Sequence, residues 1–139
     1  MAADKSIPFL GFQDGKYISV GLAVDIAYKG TLINLNTSGY GAPASDTASE
    51  VFWGLCVSDD TDNSGGSAGD EVIEVYRGPF RFKSNISESV ATLGEKRYVS
   101  DDSVVTNEGT ATNDVLVGKI IQVISSDEVL LDPSCAFAA

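Results

Sequence analysis

Histidine is absent from the chain, and that absence removes a great deal of chemistry. Ser-His-Asp and Cys-His catalysis, His-ligated zinc and the usual general base near neutral pH all need an imidazole. Cysteine is nearly absent too, with Cys56 and Cys135 alone. Two thiols cannot build a Cys-only zinc site or a disulfide framework. Cys56, within Phe52-Trp53-Gly54-Leu55-Cys56-Val57, reads as a small buried hydrophobe, Cys135 lies in an apolar tail, and a reduced pair is expected. Basic residues are scarce: nine Lys and Arg against twenty Asp and Glu give a net charge of −11. Scattered in that way they make no phosphate-tracking surface, which excludes nucleic acid as the main partner. No apolar run approaches the roughly 18 residues of a membrane helix, so no membrane partner is expected. The opening Met-Ala-Ala-Asp-Lys-Ser-Ile-Pro-Phe lacks the layout of a signal peptide, and synthesis in the cytoplasm without Sec-type export is the expectation.

What is present is β-forming. At 139 residues and 43% hydrophobic, the chain is long enough to bury a core without staples and reads as one domain. Ile18, Val20, Leu22, Val24 and Ile26 alternate with Tyr17, Ser19, Gly21, Ala23 and Asp25, the pattern of a half-buried strand. Thr31–Leu35, Glu50–Val57, Glu71–Tyr76 and Arg77–Phe82 give further strands, and Gly94–Val105 gives one or two around Asp101-Asp102. Asp114–Asp132 is the longest β-rich stretch, two antiparallel strands broken at Ser125-Ser126-Asp127. Long polar loops separate them at Asn36–Ser49 and Thr106–Asn113. Only Ser84–Thr92 has room for a helical turn, too short to stand alone.

These strands echo one another. Gly30 and Gly94, Glu50 and Asp114, and Gly54 and Gly118 are each 64 positions apart. After the second glycines, Asp70-Glu71-Val72-Ile73 matches Asp127-Glu128-Val129-Leu130 at an offset of 57, which implies seven extra residues in the first copy. The expected fold is all-β: a small antiparallel β-sandwich or β-barrel built from two related meanders, with little helix. A single domain spans 16–139, with an internal duplication over about 30–77 and 94–132. Residues 1–15 read either as a tail that folds back onto the domain or, the reading taken forward, as an extended N-terminal arm in which Ile7, Pro8, Phe9, Leu10 and Phe12 are suited to anchoring on a partner by strand addition or pocket insertion.

Candidate chemistry is sparse. Gly15-Lys16-Tyr17 and Gly118-Lys119-Ile120 lack the rest of a phosphate loop. Nothing in the spacing selects a carboxylate pair for glycoside chemistry, and the chain is not expected to be an enzyme. Asp60–Glu71 fits a twelve-residue calcium loop at positions 1, 3, 5, 6 and 12. Position 8 is Ser67 where an aliphatic belongs, position 9 is Ala68, and strands flank it. A solvated hairpin loop is the better reading, with no metal and no cofactor.

Three segments carry a resemblance. Arg77-Gly78-Pro79-Phe80-Arg81-Phe82, Leu93-Gly94-Glu95-Lys96-Arg97-Tyr98-Val99-Ser100-Asp101-Asp102, and Val117-Gly118-Lys119-Ile120-Ile121 with Val129-Leu130-Leu131 resemble the strands of the head decoration, or cement, proteins of tailed bacteriophages. The likeness runs from about Gly21 to Pro133. It implies a non-enzymatic protein on the exterior of an assembled capsid, a homotrimer whose partner is the major capsid protein, with Ile7, Pro8, Phe9, Leu10 and Phe12 as the capsid contact. The alternative is a virion-surface or tail-associated module that binds glycans or host protein through its long loops.

Overall fold

The computed structural model describes residues 16–138. Among them the chain forms twelve strands: β1 (Tyr17–Gly21), β2 (Ile26–Ala27), β3 (Leu32–Leu35), β4 (Gly41–Pro43), β5 (Val51–Cys56), β6 (Thr61–Asp62), β7 (Val72–Tyr76), β8 (Phe80–Lys83), β9 (Lys96–Asp101), β10 (Val104–Thr106), β11 (Leu116–Ser125) and β12 (Glu128–Asp132). A 3-10 turn at Val90–Thr92 and a four-residue helix, α1 (Ser134–Phe137), are the helical elements. The fold is therefore all-β with almost no helix, as the period-2 patterning requires. In β7 and β8 alternate residues are buried, and the residues between them face solvent or sit half-buried.

Two five-stranded antiparallel sheets dominate, ordered β1-β7-β5-β3-β4 and β8-β12-β11-β9-β10, with β2 and β6 as a small third pair. The two orders are the same once strands are matched in sequence. The registers match as well. Leu32–Leu55, Ile33–Gly54 and Asn34–Phe52 in the first sheet recur as Lys96–Lys119, Arg97–Gly118 and Tyr98–Leu116 in the second, each residue 64 positions later. Both pairings skip one residue at the same place, bulging at Trp53 and at Val117,. Gly30 and Gly94, at φ +87° and +86°, donate to the carbonyls of Cys56 and Ile120. In each half one parallel bridge, Leu22–Gly41 or Ser84–Val105, ties the ends of the two edge strands together. Each sheet thus curls until its edges meet, and no long flat edge is left open there.

The last strand of each meander departs from the sequence reading. Cys56 pairs with Val75, and Ile120 with Leu131, so β7 and β12 correspond at 56 positions rather than 57, and the first half carries eight extra residues. The Asp-Glu-Val string aligns best at 57, but that slip would set Val72, 59% exposed, on Val129, fully buried. In a strand, one residue of slip exchanges the faces. Tyr17–Tyr28 also differs from the expectation: the chain pairs through Leu22, bends at Val24-Asp25 and resumes pairing at β2.

Two cores result. Val20, Leu22, Ala27, Ile33, Cys56, Ile73 and Val75 fill the first curled sheet. The second core combines the inside of the second sheet, where Phe82, Val99, Ile120, Val129 and Leu131 pack, with Leu32, Ala44 and Phe52 from the outside of the first. The halves therefore pack front to back. Across this joint Leu32 N–H donates to the Asp102 carbonyl at 2.8 Å. Asp46 accepts from the backbone N–H groups of Thr112 and Asn113.

Candidate functional surface

Ile7, Pro8, Phe9, Leu10 and Phe12 lie outside the described residues. The chain enters the described part at Lys16, whose carbonyl accepts from the Arg77 N–H. The Tyr17 ring stands 5.1 Å from that of Tyr76. Arg77 itself is clamped: its guanidinium lies 4.3 Å from the Trp53 ring and 3.7 Å from the Phe137 ring, and its Nε–H donates to the Trp53 carbonyl. Burial pulls the Arg77 pKa down, and two aromatic faces compensate in part for the lost hydration. Phe137 in turn stacks on Phe52 at 5.7 Å, which ties α1 to the joint. Trp53 is half-buried, packed against the first core on one side and covered by Arg77 on the other.

Sequence reasoning missed the largest fully buried side chain among the described residues, Arg97, on β9. Its Nη2 meets Glu88 Oε1 at 2.7 Å and its Nε donates to Glu88 Oε2 at 2.8 Å, a two-point pair with both side chains sealed from water,. Ser84 donates to the same carboxylate at 2.7 Å, and Glu95, more exposed, adds a second acidic contact to Arg97 at 3.2 Å. Burial pushes the Glu88 pKa up, but the hydrogen bonds from Arg97 and Ser84 outweigh it and the net shift is downward; Arg97 is raised by the same pair. The glycine spacing held the signal, since Arg97 lies three residues past Gly94 where Ile33 lies three past Gly30.

The acidic loop is exposed along most of its length, as its composition implies, and is pinned to the domain at one buried residue. Asn63, 2% exposed, donates to the carbonyls of Leu22, Ala23 and Ser67, while β6 pairs with β2. The extra residues thus lie over one end of the first core. Asp62 accepts from Ser64, which lowers its pKa, and Asp70 accepts from the Ser67 N–H. Among the described residues no group of three or more His, Cys, Asp or Glu is placed to hold a metal ion. Cys56 and Cys135 carry free thiols, and burial pushes that of Cys56 up, which favours the unreactive thiol form.

Two surface hollows are lined by charged side chains. One of about 370 Å³ is lined by Glu95, Lys96, Arg97, Tyr98, Asn107 and Glu108. Another of about 330 Å³ is lined by Gly30, Arg81, Phe82, Lys83, Ser103, Asp127 and Glu128, where Arg81 already pairs with Glu128. No helix among the described residues is long and apolar enough to cross a membrane. No protein-family model, no curated relative and no solved structure matches the chain.

Proposed function

We propose that the protein decorates the exterior of a tailed-phage capsid and stabilises the shell by bridging major capsid protein subunits, as a homotrimer. Its apolar N-terminal segment is the capsid contact. The observation that carries this reading is the anchored root of that segment. Lys16 is held by Arg77, and Arg77 by Trp53 and Phe137 at the meeting point of the two halves. A tether that leaves a rigid point transmits load, and an apolar hexapeptide beyond it, Ile7 to Phe12, is suited to a groove or a sheet edge on a neighbour. The three segments resembling decoration proteins fall on β8, β9, β11 and β12, neighbours in one sheet. Many weak copies on one shell act together through multivalency.

Copy number in purified virions, measured by quantitative mass spectrometry against the major capsid protein, tests this. Hundreds of copies in near-integer ratio to the capsid subunit are expected. A handful would move the protein to the tail or spike, and absence would overturn the proposal. Deleting residues 1–12 is expected to abolish capsid binding and leave the fold intact; retained binding would discard the arm as the contact.

A further inference from the structure

The segment 88–94 runs antiparallel to the far end of β11. Glu88 N–H donates to the Ser126 carbonyl at 2.8 Å, and Gly94 N–H to the Ile120 carbonyl at 2.9 Å. Six residues separate the two ties on each side, so the two stretches keep one register. One step in from the Gly94 tie stand Leu93 and Ile121, and two steps in from the Glu88 tie stand Val90 and Ile124. All four are exposed, Val90 to 81%. β11 bulges at Ile121 and again at Ile124, which takes both out of the alternation that buries Ile120. No charged residue occurs from 89 to 94 or from 120 to 126. On a chain of net charge −11 this is an uncharged apolar band, and exposed apolar surface gathered in one place marks a contact.

The two ends of the band carry opposite charge. Beyond Ile120 stands Lys119, directly opposed by Lys96 on β9. Beyond Ser126 stand Asp127 and Glu128. Carboxylates near the lysines are turned to other partners: Glu95 to Arg97, and Asp132, across from Lys119, to the Ser134 N–H. Glu128 is held by Arg81, while Asp127 accepts from the Ser125 hydroxyl. Lys96, Lys119 and Asp127 are exposed, and no ion pair among the described residues includes any of them. Two lysines set face to face repel, a cost that the fold itself leaves uncompensated.

We infer that this band is a contact between two copies of the chain related by a two-fold axis. The occupant follows from the order of the charges. A two-fold turns the band end for end, so apolar centre meets apolar centre and the lysine end of each copy meets Asp127 of the other. A partner charged with one sign throughout would meet its own sign at one of the two ends. Elsewhere two strongly acidic copies repel, so an uncharged band is where they can approach. The contact goes beyond the capsid reading, because it is additional to the three-fold contacts of a trimer. Four apolar side chains inside a charged rim make a small interface of the weak, transient class.

Sedimentation equilibrium of the full chain over about a hundredfold range of concentration tests this. The wild type is expected to double, reversibly, the mass of its smallest species. Val90→Glu, at a side chain exposed enough to take a carboxylate without disturbing the fold, sets like charges at the centre and is expected to abolish the doubling. Lys119→Glu and Asp127→Lys are each expected to weaken association at least about tenfold, and K119E/D127K in one chain to restore it. Net charge alone would have Asp127→Lys strengthen association, so the direction of its effect separates the two causes. A wild type of constant mass would overturn the inference. So would doubling that survives Val90→Glu, or a double variant no better than the single ones.

Discussion

Ile33 and Arg97 occupy the same place in the two sheets. Ile33 pairs with Gly54 across β3 and β5, Arg97 pairs with Gly118 across β9 and β11, and the two side chains are 0% and 1% exposed. One half fills that position with hydrocarbon and the other with a guanidinium bound to Glu88. The same exchange recurs at the parallel bridges, where Leu22 stands in the first half and Ser84 in the second.

This contrast makes the first half a template for the second. Removing one partner of a buried ion pair strands the other, at about 3–5 kcal/mol, whereas replacing the whole set with fitting apolar residues is often neutral or better. Arg97→Ile alone is therefore expected to cost about 3–5 kcal/mol. The triple variant S84L/E88I/R97I is expected to recover most of that loss. Urea denaturation of both proteins checks it, and a triple variant no better than the single one would refute the correspondence.

Acid stability follows from the same pair. Folding lowers the Glu88 pKa, so the unfolded chain takes up its proton first as the pH falls. The contribution is complete above the unfolded value of about 4.3 and drains away as the pH drops through the lower folded value. Asp46, lowered by the backbone N–H groups of Thr112 and Asn113, acts with the same sign. Asp102, raised by burial and then by Asp101, acts with the opposite one. Denaturation midpoints between pH 3 and 6 are expected to fall with acid in the wild type, and less steeply in Glu88→Gln, which starts lower.

Gly54 and Gly118 exist because strands crowd them. A Cβ at Gly54 would lie 2.8 Å from the Val75 Cβ, and one at Gly118 would lie 2.8 Å from the Asp132 carbonyl oxygen. Gly54→Ala and Gly118→Ala are each expected to cost about 1–3 kcal/mol as overpacking. Gly65, with nothing within 4 Å of its would-be Cβ, is expected to accept Ala without loss. Thermal midpoints of the three variants decide the matter.

The Arg77 clamp has a built-in reporter, since Trp53 is the single tryptophan. Phe137→Ala takes away one face of the clamp and the stack on Phe52. A red-shifted tryptophan emission and a loss of about 1–3 kcal/mol are expected, at the lower side for a half-buried ring. Unchanged emission would show that α1 does not hold Arg77 over Trp53.

Much of this was legible in the chain. Alternation announced the strands, and the absence of any long amphipathic run excluded helices. The paired glycines announced the repeat, because Gly30 and Gly94 adopt a backbone that other residues resist, and Gly54 and Gly118 have no room for a side chain,. Those are local requirements, and local requirements leave marks on composition and spacing. The register of β7, the buried place of Arg97, the pinning of Asn63 and the front-to-back joint were settled only by the tertiary structure. Each depends on what lies across a gap of tens of residues: which face a strand turns inward, which carboxylate reaches a guanidinium, which carbonyls meet an amide. Hydrophobic pattern tells that a face is buried, but only the assembled fold supplies the surface that buries it.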